Sequence, residues 1–523
     1  MRRTVYHLVV LLLGSLCVVT FSRANETADT IVTLLFTNDM ESAYEPVPAF
    51  WIDDLEYIGG IAELATLIKN IRASEPNVFL FDSGDIFTGA LSRLTDGALM
   101  FEFMITMGYD AMAIGNHEFD YGEAVLERQK SRVPFPVLGA NLFYKGTDHP
   151  FARPHAIIER NGVRIGVIGV LGQDAASTAV ARDHIDELDV RDPAAAVARS
   201  VAELRDEVDL IVLLAHQGHT APMQTDAEID PRLARDIEKD IALAGAVPGI
   251  DVLFGGHADA GTPEPVLNPA TGTLIMQTYG QATYLGFLQL RLDTDTRRIK
   301  SYEGKLLPVD SGRLAPDPII VAKNDRYREQ FPEITAVVGY TEQRLNRKYF
   351  DESDLGNLLA DIMVDATGAD VGLLHPGGIR KDIPEGAVEV ADVLDTNPFV
   401  DPTVTVKLTG AQLREVLEQS FTHLRGLVQV SGIETVYDTS KPQYSRLVSV
   451  TRNGQEVADD ASLEVAVAMI IAKGGDHFDT FTETKVLREY PPLGDLTIEY
   501  FRKQGTVRTP RGGRQTDVAV TRD

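Results

Sequence analysis

Five short apolar runs in this chain each end directly in a cluster of residues able to hold a cation. Residues 31–36 run into Thr37-Asn38-Asp39-Met40-Glu41, and residues 78–81 into Asp82-Ser83-Gly84-Asp85. Residues 111–114 lead to Gly115-Asn116-His117-Glu118, and 210–214 to Ala215-His216-Gln217-Gly218-His219. Residues 252–254 lead to Gly255-Gly256-His257-Ala258-Asp259. Aspartate, asparagine and histidine bind divalent cations. A carboxylate shared by two such ions holds them close, and a water between them becomes a nucleophile at neutral pH. One cluster alone reads as a turn with a solvated histidine. Five in succession, each at the end of an apolar run, read as one site.

The elements that must position these clusters follow from hydrophobic period. Strands are expected at 31–36, 78–81, 111–114, 163–170, 210–214 and 251–254, and helices at 61–72, 193–205 and 232–243. Strands alternating with helices imply an α/β layered domain, here residues 29–310. Ligands in open α/β sheets sit beyond the carboxyl ends of the strands, where all five clusters fall. Gly312, Pro316 and Pro318 and a charged stretch mark a linker helix within 311–334. A second α/β unit, 335–510, begins with a helix at 355–366, and residues 511–523, with Arg511-Gly512-Gly513-Arg514, read as a flexible tail.

Composition limits the partners. The 523 residues are too many for one ordinary core. With 77 acidic and 49 basic residues the formal net charge is −28, which argues against a nucleic-acid polymer or an anionic membrane as partner. An anionic substrate needs local cations. Arg2 and Arg3, the apolar residues 8–21 and Ser22-Arg23-Ala24 read as a signal peptide, 1–24, implying passage across the inner membrane to a periplasm or the cell exterior. The single cysteine, Cys17, lies inside it, preceded by Leu16, a poor lipidation site; a chain cut after Ala24 has no disulfide, and no other segment spans a bilayer.

The five clusters together resemble the calcineurin-like metallophosphoesterase signature. With Gly115-Asn116-His117-Glu118-Phe119-Asp120 and the second unit, the chain resembles the bacterial 5'-nucleotidase / UDP-sugar hydrolase family over nearly its whole length. The resemblance implies a four-layer αββα metallophosphoesterase domain followed by a 5'-nucleotidase C-terminal substrate-binding domain. It also implies two divalent ions per chain. Asp39, Glu41, Asp85 and Asp259 would hold the first, and Asp85, Asn116, His216 and His257 the second, with His117 as catalytic histidine paired with Asp120. In the second unit, Glu352-Ser353…Gly356-Asn357, Gly377-Gly378-Ile379-Arg380 and Lys473-Gly474-Gly475-Asp476 match the family's motifs. Arg380 inherits a phosphate contact, Asp476 the ribose hydroxyls and Phe399 one face of the base; Gly432 and His375 fall near the base and the glycine loop. The family is also known to rotate its second domain against the first.

The departures are specific. The family has histidine at the Glu41 position and histidine or glutamine at the Asp259 position. The carboxylates of the centre then sum to −4 and neutralise two divalent ions. Such a first site favours Mn²⁺, Mg²⁺ or Ca²⁺, while the histidine-containing site suits Zn²⁺, Mn²⁺ or Fe. The second stacking phenylalanine is Ile470, and Asp401 stands for an asparagine. The expected activity is metal-dependent hydrolysis of nucleotides or related sugar phosphates. Two alternatives stand beside it: a 2',3'-cyclic nucleotide phosphodiesterase or hydrolase of another oxyanion ester, and a non-catalytic metal- or nucleotide-binding envelope protein.

Overall fold

The computed structural model describes residues 29–49, 51–219 and 235–520. The proposed signal peptide and Cys17 lie outside the described residues, as do 232–234 of the expected helix at 232–243; the helix observed there is Glu238–Ala246. No described helix is long and apolar enough to cross a membrane.

The first unit holds two six-stranded sheets. In one, Thr30–Thr37, Val78–Asp82, Ala111–Ala113 and Val137–Leu138 run parallel, flanked by the antiparallel Tyr284–Leu292 and Ile299–Pro308. In the other, Val163–Leu171, Leu210–Gln217, Val252–His257 and Leu274–Met276 run parallel. Alternate side chains of both sheets meet in one core, with Val32, Leu34, Phe36, Phe79 and Phe81 against Val163, Ile165, Val212 and Phe254. The Phe36 and Phe254 rings stack at 4.0 Å. Helices Ile61–Ser74 and Ala98–Met107 cover one outer face, and Pro193–Leu204 and Glu238–Ala246 the other. This is the four-layer αββα arrangement. Parallel register brings Thr37 beside Asp82, and Gln217 beside His257, so the five clusters emerge at one edge.

Helix Pro318–Gln330 follows, capped by the Asp317 carboxylate, which accepts from the Ile319 and Ile320 N–H groups. It is fastened to the first unit: Tyr327 Oη donates to Glu102 Oε1 at 2.5 Å, and Lys323 and Arg326 meet Glu102 Oε2 at 3.0 and 2.8 Å. The second unit carries a five-stranded sheet ordered Gln429–Ser431, Val371–Leu374, Ser462–Ala468, Pro402–Thr409, Val486–Pro492. Helix Asp354–Thr367 packs against it, capped by Ser353 and ended by Gly368.

The tail is not free. Gln515–Asp517 pairs in parallel with Glu434–Tyr437. The Glu352 carboxylate accepts from the Gly513, Arg514 and Gln515 N–H groups, and Arg514 forks onto Asp361 at 2.7 and 2.6 Å. The Gly-Gly pair suggests flexibility in sequence. A carboxylate 161 residues earlier in the chain supplies the order.

Candidate active site

The strand ends turn sharply into the site. Asp39, Glu41, Asp85, His257 and Asp259 all take positive φ, between 42° and 73°. Such backbone costs on the order of 1–3 kcal/mol per residue and persists only where the surroundings over-determine it. Here buried Glu118 does so: its carboxylate accepts from the Asp85, Ile86 and Gly115 N–H groups at 3.0, 2.8 and 2.6 Å, joining two loops. Asp39 N–H bonds Gly84 O and Glu41 N–H bonds Asp85 O. The sequence reading assigned Glu118 no role, although it lies inside the Gly-Asn-His-Glu cluster.

Asp85, His216 and His257 offer ligand atoms within 4.8 Å of one another, all buried. His216 Nδ1 donates to Ser83 O at 2.8 Å, and its Nε2 faces Asp85 Oδ2 at 3.0 Å. Burial opposes the charged ring but Asp85 pushes it up to about 10, and a cation at Nε2 would take the place of that proton. Asn116 Oδ1 lies 3.0 Å from that Nε2, 3.2 Å from Asp85 Oδ2 and 2.7 Å from His257 Nδ1. Four potential ligand atoms therefore converge. Reversing the amide would turn its N–H groups towards them, but a divalent cation that displaces the His216 Nε2 proton engages all four and also offsets a buried carboxylate. The residues of the expected second site fit a metal.

The expected first site is only partly gathered. Asp39 accepts from Asn38 Nδ2 at 2.8 Å and from the His257 N–H. Burial, together with Asp85 and Glu41, pushes Asp39 up to about 7, with His216 opposing. Burial and the charges of Asp39 and Glu41 hold Asp259 well above the usual carboxylate range, and its buried Oδ1 has no hydrogen-bond partner among the described residues. Buried, mutually repelling carboxylates with an orphaned oxygen suit a hard cation. Glu41 is engaged elsewhere. Its Oε1 accepts from Arg380 Nη2 at 2.5 Å and its Oε2 from Gln281 Nε2 at 2.5 Å. Among the described residues the second convergent group is Glu41, Asp85 and His117, so the four carboxylates do not meet as one ligand set.

His117 Nδ1 lies 3.0 Å from both oxygens of Asp120, and its Nε2 faces Glu41 Oε1 at 3.4 Å. Burial opposes its charged form, but Asp120 and Asp85 outweigh burial and push it up to about 10. The ring is therefore an imidazolium, a donor aimed into the cleft.

The second unit closes the other side of the same cavity with Arg380, His375, Phe399, Asp401, Ile470 and Asp476. The Phe399 ring lies 6.1 Å from that of His117, tilted by 23°. His375 is buried and held below its ordinary pKa, first by burial, so it is neutral. Asp401, raised to about 6 by burial, faces His184 Nε2 of the first unit at 3.8 Å. Gly432 does not line the cavity. Its φ of 80° and the 2.2 Å approach that a Cβ there would make to Asp370 O give it a turn role, which corrects its placement near the base. Several cavity residues were missed by sequence reasoning, among them the cations Arg347 and Arg425. Arg425 belongs to no motif, and Arg347 is one of several basic residues ahead of the Glu352–Asn357 motif; nothing in sequence sets it apart from Arg344.

Residues 32–258 match the family model for calcineurin-like phosphoesterases, and 335–483 that for the 5'-nucleotidase C-terminal domain. The chain is 26% identical to Protein UshA of Yersinia enterocolitica, over 88% of this chain and 90% of that one. It is 28% identical to a 5'-nucleotidase of Vibrio cholerae, with 86% of each covered. At 27% identity it spans a third of the trifunctional nucleotide phosphoesterase YfkN of Bacillus subtilis. Among solved structures, a 5'-nucleotidase precursor from Thermus thermophilus superposes with a TM-score of 0.79 at 25% identity, covering 94% of this chain and all of the other.

Proposed function

Because the chain belongs to the calcineurin-like phosphoesterases that carry a 5'-nucleotidase C-terminal domain, we propose that it is an exported hydrolase of nucleotide phosphate esters. It is a metal-dependent phosphoesterase with two divalent ions per chain. Residues 29–310 carry the metals and 335–510 the leaving group. The observation that carries the reading is the convergence of Asn116 Oδ1, Asp85 Oδ2, His216 Nε2 and His257 Nδ1 beside the His117–Asp120 pair.

The two ions would supply a nucleophilic water and neutralise phosphoryl oxygens. Asp85 would be shared between them, Asn116, His216 and His257 would hold one, and Asp39 and Asp259 would hold the other. Mn²⁺, Mg²⁺ or Ca²⁺ suits the carboxylates and Zn²⁺, Mn²⁺ or Fe the histidines. His117, kept protonated by Asp120, donates from Nε2 to a phosphoryl oxygen as charge builds there. Arg380 presents a planar fork to the same phosphate, exchanging Glu41 for it. Phe399 gives a leaving-group base one aromatic wall. The site favours a free nucleotide over a polymer, since the cavity lies between two units of a strongly anionic chain. Hydrolysis of a panel of 5'-mononucleotides, cyclic nucleotides and UDP-sugars with each metal tests the proposal, and no turnover of any substrate would sink it.

A further inference from the structure

Arg425 Nε and Nη2 both donate to a single oxygen, Asp476 Oδ1, at 2.9 and 2.6 Å. The pair lines the same cavity as Phe399 and Ile470. The loop that delivers Arg425 is fixed on its far side: Leu427 N–H donates to Tyr349 O at 2.7 Å and Val428 N–H to Ser420 Oγ at 2.9 Å. Gly426, at φ 75°, passes so close that a Cβ would lie 2.5 Å from Tyr349 O. Asp476 itself is held at φ 52°. The contact is therefore set from both backbones.

A carboxylate reads a vicinal diol by giving one oxygen to each hydroxyl. Oδ1 has two lone pairs, and Arg425 takes both. Oδ2 remains, with His375 Nε2 3.8 Å away, beyond hydrogen-bond reach. Resting on the nucleotide-hydrolase reading, we propose that Arg425 is a specificity-determining residue that turns Asp476 from a receptor for two ribose hydroxyls into a receptor for one. The site then takes deoxyribonucleotides lacking the unread hydroxyl alongside ribonucleotides.

The test is binding, by calorimetry on the metal-replete full chain, of adenosine, 2'-deoxyadenosine and 3'-deoxyadenosine. One of the two deoxynucleosides binds the unmodified protein within about threefold of adenosine. In Arg425→Gln, which frees Oδ1, the same deoxynucleoside falls behind adenosine by about tenfold more, the worth of one hydrogen bond to a charged group. Arg425→Met, of similar length, gives the same change, and each ratio is read within one protein, so a loss of stability cancels. Weak binding of both deoxynucleosides to the unmodified protein, an unchanged ratio in the variants, or no binding of any nucleoside overturns the inference. Binding needs no turnover: the expected ratios without hydrolysis of the 5'-monophosphates would fault the hydrolase reading and leave this one standing.

Discussion

Arg380 of the second unit donates from Nη2 to Glu41 Oε1 of the first at 2.5 Å, so the cation that suits a substrate phosphate is met by a carboxylate of the protein itself. That oxygen also faces His117 Nε2. Glu41 thus stands between the two groups a phosphate would bridge.

Glu41 should compete with phosphate for Arg380. In Glu41→Gln the neutral amide holds the guanidinium less well, since a hydrogen bond between charged groups is roughly twice as strong as a neutral one. Inorganic phosphate is then expected to inhibit the variant several-fold more strongly than the parent. An equal or weaker inhibition constant would refute the competition.

The His117 charge sets an alkaline limit. Its folded pKa is raised from the ordinary histidine range to about 10. The stabilisation from the charged ring is complete below the unfolded pKa, about 6.5, and is lost as pH rises through about 10. Turnover should fall over the upper part of that range. Asp120→Asn removes the nearest anion and should bring the alkaline limb of kcat down by about one unit or more. A limb that stays in place would show that His117 protonation is not what limits the rate.

Chelation should remove both activity and stability. Asp39 and Asp259 are held above their usual range first by burial, then by neighbouring carboxylates: Asp85 and Glu41 for Asp39, Asp39 and Glu41 for Asp259. Cations that bind only the folded state add about 2.7 kcal/mol at a hundredfold excess over Kd. A chelator is expected to lower Tm by several degrees, and elemental analysis of the replete protein to give two ions per chain. Asp85→Asn should leave fewer than two. An unchanged Tm on chelation would argue against metal at the buried carboxylates.

Phe399 should act on substrate binding. Stacking is worth about 1–3 kcal/mol per base, so Phe399→Ala is expected to raise KM for a purine nucleotide about tenfold or more, with a smaller change in kcat. Ile470→Phe, restoring an aromatic face opposite, should lower KM. If both leave KM unchanged, the base does not lie between these side chains.

The sequence made the first unit legible because its signals are local. Each metal-capable cluster sits at the carboxyl end of the strand that aims it, and strand register alone brings Asp82 beside Thr37. What escaped is what long-range contacts decide. Glu118 matters through amides about thirty residues away. Arg425 matters through Asp476, 51 residues later. Glu41 reads as a plain ligand until Arg380, 339 residues on, is seen to hold it. The tail reads as loose because Glu352, which orders it, is remote in sequence.

Helix Pro318–Gln330 is riveted to the first unit through Glu102, so it travels with that unit. A swing of the second unit would then pivot on the few residues from Phe331 to Ala336, and one stroke would tear open Glu41–Arg380, Arg93–Asp495 and the Ala90–Asp395 contact together. Glu102→Ala would lengthen the pivot and widen the spread of dimensions read by small-angle scattering, whereas an unaltered spread would place the pivot elsewhere. With such a swing the cleft would work as a door on a short hinge, His184–Asp401 being a further latch beside those three, and substrate would have to come between the leaves before they meet.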